Sequence, residues 1–248
     1  MIVIGKKVKE IMTPRVISVP PQAKVIEAIE TMLLSNIRRL LVEGGMIVTM
    51  RDLVYAWERV NDSVASVATK DLLFVHPDVS ALDAAKIMTA RGVGSLLVGD
   101  GIKVEGVVTE RDLLKALSVK EQIPAGDVMN PDPLVVEMDE FLSEVVELMK
   151  ERWTRHAVVV KDSRPIGVIS VRDVARAVSA GRNLRKTRVD EFMTVRVLSV
   201  ERTEPLEKVR ELMATQNVGY VPITDRDGSL VGGIGERDLL AAIVISLF

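Results

Sequence analysis

A hydroxyl three residues ahead of a carboxylate, with a strand before it and a helix after it, recurs along this chain. In Gly106-Val107-Val108-Thr109-Glu110-Arg111-Asp112 the β-branched residues read as a short buried strand. Thr109 then stands where a helix carrying Leu113, Leu114 and Leu117 must begin. Unpaired backbone N–H groups and the positive end of a helix dipole favour an anion there. A carboxylate such as Asp112 can accept both hydroxyls of a ribose, and Thr109 and Arg111 can serve ribose or phosphate. The same Thr-x-x-Asp spacing is also close to a capping box, in which Thr109 caps the helix and the acid reaches back to the N-cap N–H. Capping does not require the arginine before the aspartate, although a surface salt bridge would also explain it.

The heptad returns as Met46 to Asp52, as Gly167 to Asp173 and, altered, as Gly232 to Asp238, so the closing aspartates lie 60, 61 and 65 residues apart. The arginine is present each time, as Arg51, Arg111, Arg172 and Arg237. Met32, Met88, Met149 and Met213 form a second ladder in the same register. The chain is therefore four copies of one unit, predicted as strand, amphipathic helix, two strands and a closing helix. In the first copy a strand is expected near Val16–Val19 and a helix from about Lys24 to Ser35. Val25, Ala28, Ile29, Met32 and Leu33 would share its buried face. Turns are expected at Glu43-Gly44-Gly45, Lys161 to Arg164 and Asp225 to Gly228. The copies span 8–60, 64–118, 125–180 and 189–248. Ser118 to Gly126 reads as the boundary between two halves, and the basic stretch Ser179 to Arg188 as a solvated linker.

At 248 residues, 48% hydrophobic and 27% charged, the chain can bury one or two cores of ordinary size. A net charge of −2 gives no positive field for nucleic acid or an acidic membrane, so any anion must be held locally. There is no cysteine, which excludes disulfides, thiolate catalysis and Cys-ligated metal. The run Met1 to Ile4 is too short for a signal peptide, and Leu239 to Phe248 falls far short of a membrane span. A cytoplasmic location is the expectation. Abundant Arg, Glu and Lys with scarce Asn and Gln lean towards a thermophile.

In these features the chain resembles the CBS-domain family, named after cystathionine β-synthase. Ile11-Met12-Thr13-Pro14, Asp127-Val128-Met129-Asn130 and Phe192-Met193-Thr194 match the family's opening motif, with Ala68-Thr69 a weaker version. The heptads match its closing motif, and the resemblance covers the whole chain. It implies an α/β fold of β-α-β-β-α repeats in which consecutive repeats pair about a pseudo-twofold axis and two pairs commonly form a flat disc. An adenine nucleotide or related adenosyl ligand binds between the paired sheets, and the proteins are usually regulatory and not catalytic.

The resemblance further implies that the partner repeat supplies the adenine cup. For Thr109, Arg111 and Asp112 the cup is Thr13, Ile17, Ile37 and Arg38, with Arg39 placed for a phosphate. For Ser170, Arg172 and Asp173 it is Thr194, Leu198, Val218 and Gly219, and for Thr49, Arg51 and Asp52 it is Thr69, Leu73, Val93 and Gly94. At Asp238 the pattern departs: Gly235 replaces the hydroxyl residue, the cup would be Asn130, Leu134, Thr154 and Arg155, and a weak or empty site is expected.

His76 and His156 have no metal-ligand spacing around them, and no nucleophile elbow, Walker loop or dinucleotide fingerprint is present. No protein-bound metal is expected, and Mg²⁺ only in company with a nucleotide. The methionines read as core, Trp57 and Trp153 as packing or partner contacts, and the apolar C-terminal helix as packing between halves or a dimer contact. The expected protein is a non-enzymatic sensor of AMP, ADP or ATP that signals to an effector, as a single-chain disc or a homodimer. S-adenosylmethionine or dinucleotide sensing, and a structural scaffold with empty clefts, are the alternatives.

Overall fold

The structure, a computed structural model, describes residues 5–119 and 122–246. The Met1 to Ile4 run, Lys120 and Glu121 of the expected boundary, and Leu247 and Phe248 of the C-terminal helix lie outside the described residues. A short helix α1 (Val8–Ile11) and strand β1 (Thr13–Pro14) come first. The first repeat continues with β2 (Ser18–Val19), α2 (Val25–Leu34), β3 (Arg39–Val42), β4 (Met46–Thr49) and α3 (Met50–Tyr55). The second has β5 (Phe74–Val75), α4 (Ala81–Arg91), β6 (Ser95–Gly99), β7 (Val104–Thr109) and α5 (Glu110–Ala116). The third has β8 (Val135–Glu137), α6 (Leu142–Glu151), β9 (His156–Lys161), β10 (Arg164–Ser170) and α7 (Val171–Ser179). The fourth has β11 (Val200–Glu201), α8 (Leu206–Gln216), β12 (Tyr220–Thr224), β13 (Leu230–Gly235) and α9 (Glu236–Ile245). The four-fold β-α-β-β-α plan stands, with the first strand and helix of repeat one slightly shorter than expected.

Each sheet runs first strand parallel to second, second antiparallel to third. Helical periodicity decides what lies beneath it. Val25, Ala28, Ile29 and Met32 of α2 are buried, as are Leu142, Val145, Val146 and Met149 of α6. The methionine ladder of the sequence sits wholly inside, with Met32, Met88, Met149 and Met213 at most 2% exposed. Val48, Val108, Ile169 and Ile234 of the closing strands point to the same interiors.

The third strand of every repeat would leave its outer backbone groups unpaired. A lead-in segment from the neighbouring repeat covers them. Thr13 pairs with Val107, Ile47 with Thr69, Asn130 with Gly233 and Val168 with Thr194. Repeats one and two thus exchange lead-ins, as do three and four. A methionine of the lead-in lies on a glycine of the closing strand, where an added Cβ would come 2.7 Å from Sδ: Met12 on Gly106 and Met193 on Gly167. Met129 lies on Gly232 in the same way. At the equivalent positions of the remaining contact Ala68 replaces the methionine and Met46 the glycine, so bulk is moved to the other strand. The weak opening motif at Ala68-Thr69 has this physical cause.

The chain divides into two compact units that do not follow its order. One comprises Met1–Val16, Leu73–Asp132 and Leu198–Phe248, and the other Ile17–Leu72 and Pro133–Val197. The bodies of repeats two and four share the first unit, those of one and three the second. The described part of 118–126, expected as a boundary, lies within the first unit, because closing helices pack on alternate repeats. There α9 packs on α4 and α5, and α5 on α8; in the second unit α7 packs on α2 and α3, and α3 on α6. Leu239, Leu240, Ile243 and Val244 of α9 belong to the first unit's core, so their excess of apolar surface serves packing between repeats.

The stretch 179–188 is anchored at Leu184 and Thr187, which are buried, while its basic side chains Arg182, Arg185, Lys186 and Arg188 stay exposed as expected. Leu184 is fully buried, and its carbonyl and that of Thr187 accept the N–H groups of Ser143 and Leu142 at the start of α6. Arg185 stacks over Trp57, 5.6 Å from its centroid, and pairs with Glu58. The N–H groups that α6 could not satisfy itself give this basic segment its place.

The methionine-on-glycine contact is directly testable. Gly106→Ala should cost about 1–3 kcal/mol in chemical denaturation, because Thr13 O, 2.8 Å from the new Cβ, is backbone and cannot yield. Met12→Ala in the same chain should recover only part of the loss, the part due to Sδ.

Candidate functional site

At the end of each closing strand the backbone turns directly into a helix. In the first three repeats the turn is tied by one carboxylate oxygen. Asp112 Oδ2 accepts the Thr109 N–H at 2.9 Å and its hydroxyl at 2.7 Å, while Thr109 Oγ1 accepts the Asp112 N–H. Asp52 with Thr49 repeats this at 2.9 and 2.6 Å, and Asp173 with Ser170 at 2.7 and 2.6 Å. In the fourth repeat only the backbone bond survives, from Gly235 N–H to Asp238 Oδ2 at 2.8 Å. The capping reading of the motif is realised, and it engages a single oxygen.

The second oxygen differs among repeats. Asp173 Oδ1 accepts from Arg176, and the side chain is 7% exposed. Burial pushes its carboxyl above the usual carboxylate range, with the Ser170 hydrogen bond and the Arg176 charge pulling the other way. Asp52 Oδ1 lies 3.9 Å from Arg51 Nε. Asp112 is half-buried, and its bonds to Thr109 leave Oδ1 as an acceptor.

The heptad arginines reach across to the other repeat of their own unit. Arg111 Nε donates to Glu236 Oε1 at 2.6 Å, and its Nη1 donates to Asn217 Oδ1. Reciprocally, Arg237 Nε donates to Glu110 Oε1 at 3.3 Å. In the second unit Arg172 donates to Asn36 Oδ1 and, at 3.1 Å, to the Ile37 carbonyl. Arg51 lies 4.8 Å from the centroid of the Trp153 ring. Asn36, Trp153 and Asn217 share one trait: each follows the first helix of its repeat with a positive φ of 53°, 51° or 59°. Arg111, Arg172 and Arg51 thus clasp left-handed turns of the other repeat in their unit. Sequence reasoning missed Asn36, Asn217, Glu110 and Glu236, whose signal lay in comparing the repeats position by position, and read Trp153 as a packing or partner contact without naming Arg51 as its neighbour.

The structure brings each lead-in residue beside its heptad: Thr13 next to β7 with Thr109, Thr69 next to β4 with Thr49, Thr194 next to β10 with Ser170, Asn130 next to β13 with Asp238. Within repeats, the carbonyls of Arg38, Gly94, Arg155 and Gly219 accept the first N–H of the closing helix, from Met50, Glu110, Val171 and Glu236. Arg39 and His156 face Thr49 and Ser170 across their hairpins. Ile17, Ile37, Arg38 and Arg39 belong to the second unit and Asp112 to the first. Leu73, Val93, Gly94, Leu198, Val218 and Gly219 belong to the first, and Asp52 and Asp173 to the second. Leu134, Thr154 and Arg155 belong to the second, and Asp238 to the first. A cavity of about 630 Å³ runs along α9 past Asp127, Asp238, Ala241 and Ile245, with two carboxylates and no basic side chain in its wall. Among the described residues no group of three or more His, Asp or Glu side chains is placed to hold a metal, and no helix is long and apolar enough to cross a membrane.

The sequence profile of the CBS domain matches residues 8–59, 64–119, 125–180 and 189–245. Protein MJ1225 of Methanocaldococcus jannaschii is 24% identical over 195 residues, 73% of this chain and 70% of its own length. Its crystal structure superposes with a TM-score of 0.84 over 96% of this chain and 99% of that one. A conserved protein of Pyrococcus horikoshii, 19% identical, covers 96% of this chain with a TM-score of 0.66. MJ1404 of Methanocaldococcus jannaschii is 28% identical over 187 residues, and the match spans only 44% of its length. The mixed α/β fold of these repeats is common to the chain and to the two superposed structures.

The arginine clasps predict an asymmetry. Glu236→Ala strands the Arg111 guanidinium, which is 18% exposed, and should cost about 3–5 kcal/mol in denaturant unfolding. Glu110→Ala releases Arg237, which is 46% exposed, and should cost no more than about 1 kcal/mol. Asp173 predicts a pH effect. Its raised value means that the folded chain holds the proton more tightly than the unfolded one, so stability falls as pH rises above the usual 3.8. Asp173→Asn keeps an oxygen for the Ser170 N–H, and its melting temperature relative to wild type should climb as pH rises above 3.8.

Proposed function

The chain belongs to the CBS-domain family, and on that premise we propose that it is a regulatory sensor binding adenosine-containing ligands between consecutive repeats. The observation that carries this reading is the division of labour on Asp112. One oxygen ties the turn and the other is left to accept, beside a threonine hydroxyl on each of two adjacent strands, Thr109 on β7 and Thr13 on β1. A ribose diol needs an acceptor of this kind, since each hydroxyl donates one hydrogen bond to a carboxylate. The family resemblance adds the adenine cup of Ile17, Ile37 and Arg38, and Arg39 for a phosphate. The resemblance assigns phosphate recognition to Arg39, and Arg111 is held by Glu236 and Asn217.

Ser170 with Asp173, Thr194, Leu198, Val218 and Gly219 forms the second proposed site, and Thr49 with Asp52, Thr69, Leu73, Val93 and Gly94 a weaker third. Arg172 and Arg51, which clasp the neighbouring repeat, belong to these proposed sites as well. Occupancy would be passed to an effector protein if the ligand binds one arrangement of the repeats better than another. The protein would work in the cytoplasm, and AMP, ADP or ATP are the first ligands to test, with Mg²⁺ only as the nucleotide's companion and S-adenosylmethionine or a dinucleotide next. A second reading, a scaffold with unfilled clefts, is favoured by one observation: every heptad aspartate already has a structural bond.

Calorimetric titration of wild type, Asp112→Ala and Asp173→Ala with AMP, ADP, ATP and S-adenosylmethionine decides between them. Loss of the charged acceptor should weaken binding about 10- to 100-fold, equivalent to the roughly 1.5–3 kcal/mol of a charge-assisted hydrogen bond. Absence of binding to all four, with both variants merely less stable, would leave the scaffold reading in possession.

A further inference from the structure

Three departures from the repeat pattern meet at one place in the fourth repeat. Ile47, Val107 and Val168 stand two residues before the N-cap of the closing helix in the first three repeats, and Gly233 in the fourth. The N-cap itself is Thr49, Thr109, Ser170 and then Gly235. Opposite that N-cap, across the hairpin, stand Arg39, Ser95, His156 and then Tyr220. Both glycines lie on one face of β13, since alternate residues of a strand share a face. It is the face turned away from the core, where Ile234 is buried.

The Tyr220 ring lies along that face. A Cβ at Gly233 would meet the phenol end, with Cζ at 2.5 Å and Cε1 at 2.7 Å. One at Gly235 would stand 3.6 Å from Cδ2 and 3.2 Å from Asp238 Oδ2. No side chain fits at 233 while the ring is there, so the glycine and the tyrosine imply each other. One aromatic side chain has replaced the apolar and hydroxyl side chains that the other repeats present. Burial, with a lesser effect of the Asp238 charge, raises the phenol's pKa.

We propose that Tyr220 is a built-in stopper that fills the nucleoside-facing surface of β13 and closes the Asp238 position to ligand. This rests on the adenosine reading of the other three heptads. The stopper turns repeat four into a structural copy: Asp238 keeps its bond to the Gly235 N–H and ties the helix, while no surface remains on which a ribose could lie. The cavity that reaches Asp238 along α9 offers no alternative to a nucleotide, since its two carboxylates and lack of a basic side chain repel a phosphate.

The test counts AMP bound per chain by calorimetry. A chain carrying Tyr220→Ser, Gly233→Val and Gly235→Thr together restores the pattern of the second repeat and should take up one AMP more than wild type. Asp238→Ala in that background should abolish the additional site. Tyr220→Ser alone is the milder variant, expected to gain the same site more weakly. Equal stoichiometry in wild type and both folded variants overturns the stopper, and so does loss of a site from wild type on Asp238→Ala. Should wild type bind no AMP while the opened chain binds one, the stopper is upheld and the sensor reading of the natural chain fails. No uptake by any of them refutes both. Melting temperatures give a ligand-free arm: Gly233→Ala should lower that of wild type and leave that of Tyr220→Ser nearly unchanged, and equal effects in the two overturn the steric claim.

Discussion

No repeat of this chain closes its own sheet. On the outer edges of β4, β7, β10 and β13, the backbone groups of Ile47, Val107, Val168 and Gly233 are paired by segments belonging to a different repeat. Since an unpaired buried peptide group costs as much as a lost hydrogen bond, this exchange ties one to two and three to four before any side chain is considered. It also explains where the chain changes unit. Each crossing, after Val16, Leu72, Asp132 and Val197, follows a lead-in segment that has just paired with its neighbour's closing strand. The methionine that accompanies it needs a glycine beneath it or, once, gives way to an alanine under a methionine.

A second layer of specificity acts through helices. Repeats two and four carry glutamate before the heptad arginine, and Glu110 and Glu236 are 2% exposed, so each needs the other repeat's arginine. Repeats one and three carry Met50 and Val171 at that position and bury them. A pairing of two with three would set a buried carboxylate against an apolar side chain, at a cost of several kcal/mol. Charge and apolarity thus sort the four similar helices into two like pairs. The price is visible at Trp153, whose left-handed backbone would ordinarily be given to glycine or asparagine at a cost of about 1–2 kcal/mol. The Arg51 guanidinium above its ring offsets part of this.

Fold and chemistry share atoms at the heptad. The carboxylate that ties strand to helix is also the proposed acceptor for a ribose, which is possible because two oxygens can do two jobs. Where the second oxygen is claimed, as by Arg176 at Asp173, the site is modified. At Asp238 a neighbouring ring lies over the strand's glycines, and the proposal leaves that carboxylate only its structural role. On this proposal four copies of one turn differ in ligand duty without differing in fold.

The sequence by itself determined the repeat, its β-α-β-β-α order and the residues of the cap, because periodicity and capping are local and act within a few residues. Thr109 with Asp112, the methionine ladder and the altered Gly235 could all be read in that way. Tertiary structure alone decided that the heptad arginines clasp Asn217, Asn36 and Trp153, that 179–188 is anchored at Leu184 and Thr187, and that Tyr220 covers Gly233. These contacts join residues 13 to 136 positions apart, and nothing in a local pattern states which repeat a side chain will face. Packing chose among partners that the sequence had made chemically alike.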